Sequence, residues 1–165
     1  YCDSSQSEKR KSVIKFLNII LDSLLKWFAP ILSFTTEEIF RLIYNNKKSV
    51  HLEKFVQFPE KIKNDKLNKK WIQLIKIRDV CNLSIEQKRA EKVIGSSLEA
   101  SINIKLDKKN LEIVKDIDFS ELCITSAANI ELIDNSNLEV ITKKAEGNKC
   151  PVCWKIKPES CDRHG

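Results

Sequence analysis

"RAEKVIGSSLEASINIKLD", residues 89–107, is where the chain changes period, and that change decides the fold. Upstream, from about Asp65 to Val93, Leu67, Trp71, Leu74, Ile75, Arg78, Cys81 and Ile85 recur at the spacing of one helix face. Gly95 interrupts the pattern. Beyond it Leu98, Ala100, Ile102, Ile104 and Leu106 alternate with Glu99, Ser101, Asn103 and Lys105, the period of two that marks a half-buried strand. A long helix on one side of Gly95 and a strand on the other predict a mainly α chain whose last third turns to α+β.

Working outward toward the N-terminus, Val13, Phe16, Leu17, Ile20, Leu21, Leu24, Leu25 and Phe28 predict a helix over Ser7–Phe28, with Ile14, Ile19 and Trp27 widening its apolar face until two sides are covered. Pro30 stops or kinks it, because proline has no N–H to give. Thr35 stands three residues before Glu38, a capping-box spacing that starts a second helix ended by Asn45 and Asn46. "SVHLEKFVQFPE" reads as an extended connector. Three helices in residues 1–95 predict a helical bundle. Toward the C-terminus, "KKNLEIVKDI" reads as a short helix and "ELCITSA", "NIELID" and "LEVITKKA" as strands, so residues 96–145 form a small α+β unit whose sheet of about three strands is expected to be antiparallel.

Residues 146–165 have no core of their own and hold three of the six cysteines. Cys150 and Cys153, then Cys161 and His164, repeat one spacing with seven residues between the pairs. Each pair makes a knuckle presenting two ligands, and the link easily spans the roughly 4 Å between ligands on one tetrahedral ion. Three thiolates and an imidazole, or a cysteine beyond Gly165 in place of His164, predict one structural zinc that folds the tail and leaves no open position for chemistry. A redox pair would want a strand-to-helix context that "NKCPVCWK" lacks. Trp154, next to the knuckle, is either a platform for stacking a base or a side chain packed on the metal module.

Composition narrows the rest. At 165 residues and 42% hydrophobic, the chain can bury one core with an appendage, or two small ones. No apolar run is long enough to span a membrane and "YCDSSQSEKRKS" is no signal peptide, so a cytoplasmic protein with reduced cysteines and no membrane partner is expected. Methionine is absent, even at position 1, which predicts a piece of a longer protein. The net charge of +6 rests on 24 lysines among 29 basic residues, a composition that AT-rich coding also produces. Its placement is more informative: residues 61–92 hold ten basic against four acidic side chains and residues 143–165 hold six against three. Two basic regions fit a polyanion touching the chain in two places, against the alternative of a solvated lysine-rich face. Cys2, Cys81 and Cys123 stand alone and read as small apolar residues, and His51 as structural. Only Gly95, Gly147 and Gly165 are present, so no phosphate loop exists, and no nucleophile is flanked by a base.

"YCD", "KWFAPILSFTTEEIF", "SVHLE", "FPE", Trp71, "IRDV", "KRAEKVIGSSLEA", "ELCITSA" and "KCPVCW" stand in an order and spacing that resemble the C-terminal end of bacterial isoleucyl-tRNA synthetases over nearly the whole chain. "SVHLE", "IGSSLEA" and the terminal cysteines resemble the isoleucine enzymes more than their valine and leucine relatives. The resemblance implies that residues 1–95 belong to an anticodon-binding helical bundle and that Cys150, Cys153, Cys161 and His164 ligate its zinc. His164 stands where a cysteine is usual, the loop between the pairs is shorter than usual, and Phe40 stands where a tryptophan is usual. The family's ATP- and Mg-dependent joining of isoleucine to tRNA, and its editing, would lie in domains upstream. This segment would hold the isoleucine tRNA through Arg78, Lys88, Arg89 and Lys92 on the long helix and Lys149, Trp154, Lys155 and Arg163 in the tail. The alternatives are a free-standing nucleic-acid-binding zinc protein, the zinc-tailed end of a DNA-repair glycosylase, or a protein-interaction module.

Overall fold

A computed structural model describes residues 3–45, 48–134 and 138–161, apart from the side chain of Lys61. The chain divides into two compact units, Tyr1–Lys63 and Asn64–Gly165.

In the first unit, helix α1 runs Glu8–Phe28, its start capped by Ser7, whose hydroxyl accepts the Arg10 amide. It ends just before Pro30, where the Ile31 and Leu32 amides turn back onto the Phe28 carbonyl. That turn leads straight into α2, Ser33–Tyr44. The expected capping box at Thr35 is therefore corrected: the N-cap is Leu32, three residues earlier and without a side-chain cap, and the buried Thr36 hydroxyl donates back to the Leu32 carbonyl at 2.9 Å. Asn45 closes the helix in the left-handed conformation, φ 42°, as its sequence position suggests.

Leu25, Ala29, Phe40 and Val50 form the buried core of this unit, with Ile39 against it. The connector is less extended than expected, because Val50–Leu52 and Glu60–Ile62 wind into single 3-10 turns. Glu37 straps the first of these to α2: its carboxylate accepts the Ser49 hydroxyl at 2.8 Å, the Val50 amide at 2.9 Å and Arg41 Nε at 2.7 Å. The Ser49 hydrogen bond, with those from Val50 and Arg41, holds the Glu37 carboxyl below the ordinary glutamate range. His51 places Nε2 3.3 Å from the Ser33 carbonyl, a structural contact. The broad buried face expected of α1 is not formed. Packing within the unit comes from α2 and the Val50–Leu52 turn, which meet the C-terminal turns of α1, so Leu25 is buried while Val13, Phe16, Leu17 and Leu24 stay exposed.

The second unit begins with α3, Asp65–Ala90, capped by Asn64. It stops short of the expected Val93 because Lys92 turns left-handed, φ 59°, and the Val93 amide reaches back to the Lys88 carbonyl. Strand β1 (Ala100–Leu106), helices α4 (Lys108–Val114) and α5 (Phe119–Leu122), and strands β2 (Ala127–Leu132) and β3 (Glu139–Lys144) follow. The sheet order is β2-β1-β3, with β1 antiparallel to β3 but parallel to β2, Ile104 lying opposite Ile130 and Val140. The expectation of an all-antiparallel sheet is thus corrected. Residues 107–126 hold two short helices, enough chain to cross over and return in the same direction. The strand expected at "ELCITSA" is also absent: these residues end α5 and turn through Ile124, φ 56°.

Alternation along β1 turns Ala100, Ile102, Ile104 and Leu106 into one core with Leu74, Ile77, Cys81 and Ile85 of α3. Ile94, Val114, Phe119 and Cys123 complete it. Two polar groups enter as a satisfied pair, Ser84 and Thr142, whose hydroxyl oxygens lie 2.7 Å apart. Cys81 and Cys123 sit in this core as expected of small apolar residues, and the Cys123 sulfur together with burial pushes the Cys81 thiol well up. No helix among the described residues is long and apolar enough to cross a membrane.

Candidate metal centre and nucleic-acid interface

After β3, strands β4 (Asn148–Lys149) and β5 (Ile156–Lys157) pair antiparallel into a separate two-stranded sheet. Its entry requires Gly147. There φ is 121°, and a Cβ would collide with the backbone of Lys157 and Pro158 on the opposite arm, so the chain passes only because there is none. The knuckle between the arms is closed by the Cys150 amide donating to the Lys155 carbonyl and the Trp154 amide donating to the Cys150 carbonyl, each at 2.9 Å. Trp154 takes a left-handed φ of 63° to complete the turn.

This turn brings Cys150, Cys153 and Cys161 together, with all three sulfurs within 4.8 Å of one another and Cys153 Sγ 3.7 Å from Cys161 Sγ. Thiolates at about 2.3 Å on one tetrahedral ion stand about 3.8 Å apart, so the cluster has the spacing to hold a metal ion. Among the described residues it is the group of three or more ligating side chains assembled this way. The knuckle also prepares the charge. Amides of Cys153 and Val152, in that order, with the neighbouring sulfurs, draw the Cys150 thiol down to about 6, whereas burial and the neighbouring sulfurs push Cys153 up. One ready thiolate beside a less acidic Cys153 suits a cation that displaces the remaining protons as it binds. His164, the expected fourth ligand, and Arg163 lie outside the described residues.

Trp154 projects from the knuckle with 60% of its surface exposed, and Lys149 Nζ stands 5.8 Å from the ring centre. The ring is thus largely open to solvent rather than packed into the metal module. Lys155 behaves differently from its lysine neighbour: its side chain is 13% exposed and its ammonium lies 2.8 Å from Glu121 Oε1 on α5. On α3, Lys88 pairs with Glu91 at 2.6 Å and Arg89 with Glu86 at 2.8 Å, both near the surface, and Lys92 follows in the terminal turn. Arg78 faces inward, its Nε donating to the Leu122 carbonyl at 3.0 Å behind α5. The basic end of α3 and the metal tail belong to the same compact unit. Sequence reading passed over Gly147, Ser126 and Glu121. The glycine beside the first cysteine pair was the one legible signal, since the other two matter only through contacts made across the fold.

Residues 1–104 match the family described as the anticodon-binding domain of tRNA ligase. The chain is 61% identical over 164 residues to the isoleucine–tRNA ligase of Pelagibacter ubique, covering 99% of this chain and 18% of that protein. It is 40% identical to the isoleucine–tRNA ligase of Bradyrhizobium diazoefficiens and 38% identical to that of Agrobacterium fabrum, each covering 94% of this chain and 17% of the relative. The chain thus spans less than a fifth of the length of these curated relatives. A family match over more than half its residues, and relatives this similar along nearly all of it, place the chain in the isoleucine–tRNA ligase family.

Proposed function

We propose that this chain is the C-terminal, anticodon-side tRNA-binding segment of an isoleucine–tRNA ligase, a cytoplasmic enzyme whose ATP- and Mg-dependent aminoacylation and editing reside in upstream domains of the same chain. The observation that carries the reading is the metal knuckle, which presents an exposed Trp154 in the same compact unit as the basic end of α3. Thiolate donors at this spacing suit zinc, held by Cys150, Cys153 and Cys161 with His164 as the fourth ligand. Such an ion would fold the tail and take no part in chemistry. Lys88, Arg89, Lys92 and Lys149 pair with phosphates, Arg163 extends that set, and Trp154 stacks on an unpaired base. Arg78 and Lys155, expected from sequence among the tRNA contacts, support the fold that carries them.

The test is a titration of isoleucine tRNA and a non-cognate tRNA at several salt concentrations, on protein whose metal has been counted. One zinc per chain is expected, lost in Cys150→Ser. Neutralising Lys88, Arg89 and Lys92 together should flatten the fall of affinity between about 50 and 200 mM salt. Trp154→Ala should cost roughly 1 to 3 kcal/mol and leave the slope unchanged. Metal-free protein purified without chelator, or equal tRNA affinity with and without these side chains, would refute the reading.

A further inference from the structure

We propose that Ser126 is a positioning residue whose buried hydroxyl bolts the metal hairpin to the three-stranded sheet and so sets the direction in which Trp154 meets RNA; this rests on the reading of the tail as an RNA platform. A metal ion can close the knuckle on itself, but it says nothing about how the hairpin is held against the rest of the unit. The backbone does not settle that either, because β4 and β5 form their own sheet, unjoined by ladder bonds to β2-β1-β3. The Ala145 amide donates to the Glu99 carbonyl at 2.7 Å just ahead of β4, and side chains add the attachment on the β5 arm.

Ser126 is 1% exposed, and both its amide and its hydroxyl are engaged. Its amide donates to the Ala100 carbonyl at 3.0 Å and its hydroxyl donates to the Leu98 carbonyl at 2.5 Å, both at the lead into β1. The same oxygen accepts the Ile156 amide at 2.6 Å, from the first residue of β5. One hydroxyl thus joins the entry to β1, the entry to β2 and the metal hairpin, two residues beyond Trp154. The neighbouring Lys155 adds a second clasp, its ammonium reaching Glu121 Oε1 at 2.8 Å and Ser120 Oγ at 3.4 Å. Asp118 in turn fixes that end of α5 by accepting the Ser120 and Glu121 amides. Replacing the Ser126 hydroxyl leaves the Ile156 N–H and the Leu98 carbonyl without partners and lets the hairpin swing, although no metal ligand has changed. A swinging platform must be ordered again each time it binds, and affinity falls accordingly.

The experiment uses the zinc-loaded chain as parent, Ser126→Ala, Ser126→Thr and Glu121→Gln, with three readouts: zinc per chain, hydrogen exchange of the Ile156 amide, and affinity for isoleucine tRNA. Ser126→Ala should keep one zinc, exchange Ile156 at least about tenfold faster and bind tRNA about three- to tenfold more weakly with an unchanged salt slope. Ser126→Thr, which retains the hydroxyl, should restore protection, and Glu121→Gln should fall between. Unaltered Ile156 exchange in Ser126→Ala overturns the bolt. Loss of zinc alongside the loss of protection makes Ser126 a support of the metal site and overturns positioning. If Ser126→Ala does not fold, Glu121→Gln decides on the same three readouts. Trp154→Ala in the same titration separates the layers: no effect sinks the RNA platform itself, whereas an effect there with none in Ser126→Ala sinks the positioning role alone.

Discussion

Among the described residues, Asn64–Gly165 closes twelve buried apolar side chains into one core, whereas in Tyr1–Lys63 the core holds four. Apolar content does not explain the contrast, since α1 is among the most apolar segments of the chain. What differs is the opposing layer. In the second unit a sheet offers an apolar face, and each even-numbered residue of β1 is buried in one core with side chains of α3. In the first, two helices and a 3-10 turn meet over a few residues, and polar straps such as Glu37 hold what packing does not. A helix supplies one face, and its stability depends on what covers that face.

The contrast would break most visibly in the cores. Leu74→Ala, at a fully buried position, should cost the second unit about 3 to 4 kcal/mol, and Leu25→Ala should cost the first about 2 kcal/mol because its partly open surroundings can relax. Urea unfolding followed by amide signals assigned to each unit should show each change confined to its own unit. A single transition shifted equally by both substitutions would mean the division is not energetic.

A smaller effect should sharpen the contrast from the polar side. Glu37 has its folded pKa depressed, so its contribution is fully present above the ordinary glutamate range and is lost as pH falls through the lower, folded value. Thermal melts of the parent and Glu37→Gln should therefore differ at neutral pH and converge in acid, with the difference carried by the first unit. Parallel curves across that window would assign the strap no linkage.

The smallest effect concerns strain that the larger core tolerates. Ile124 is β-branched, 55% exposed, and held at φ 56°. Ile124→Gly should relieve the backbone with little packing lost and raise stability by about 0.5 kcal/mol after glycine's own entropy cost. A lower melting temperature would show that the Ile124 side chain contributes more than its exposure suggests.

Much of this architecture was legible in the residues. Helix spacings located α1 and α3, strict alternation located β1 with its buried side correctly chosen, and the paired spacing of Cys150, Cys153 and Cys161 anticipated their convergence. The losses share a cause. Strand direction was misjudged because "ELCITSA", whose Ile and Thr read as strand, instead holds the end of α5, a four-residue helix that Asp118 caps just before it. Thr35 looked like a cap because periodicity cannot see that the turn after Phe28 already supplies a start at Ser33. The apolar face of α1 announced a wish to be covered without naming the cover. Lys155 looked like Lys149 in sequence, and only the Glu121 contact, 34 positions away, tells them apart.

The strand order β2-β1-β3 also bears on how the chain is made. The central strand is synthesised first, and it waits through residues 107–126 for one neighbour and through residues 133–138 for the other. During that interval β1 has α3 to shield its apolar face, because α3 precedes it, but both of its hydrogen-bonding edges are open. A nascent chain paused or truncated before β2 would thus expose two unpaired edges on an apolar strand, the species most prone to pair with a neighbour of its own kind, whereas one released after Lys144 has already paired both.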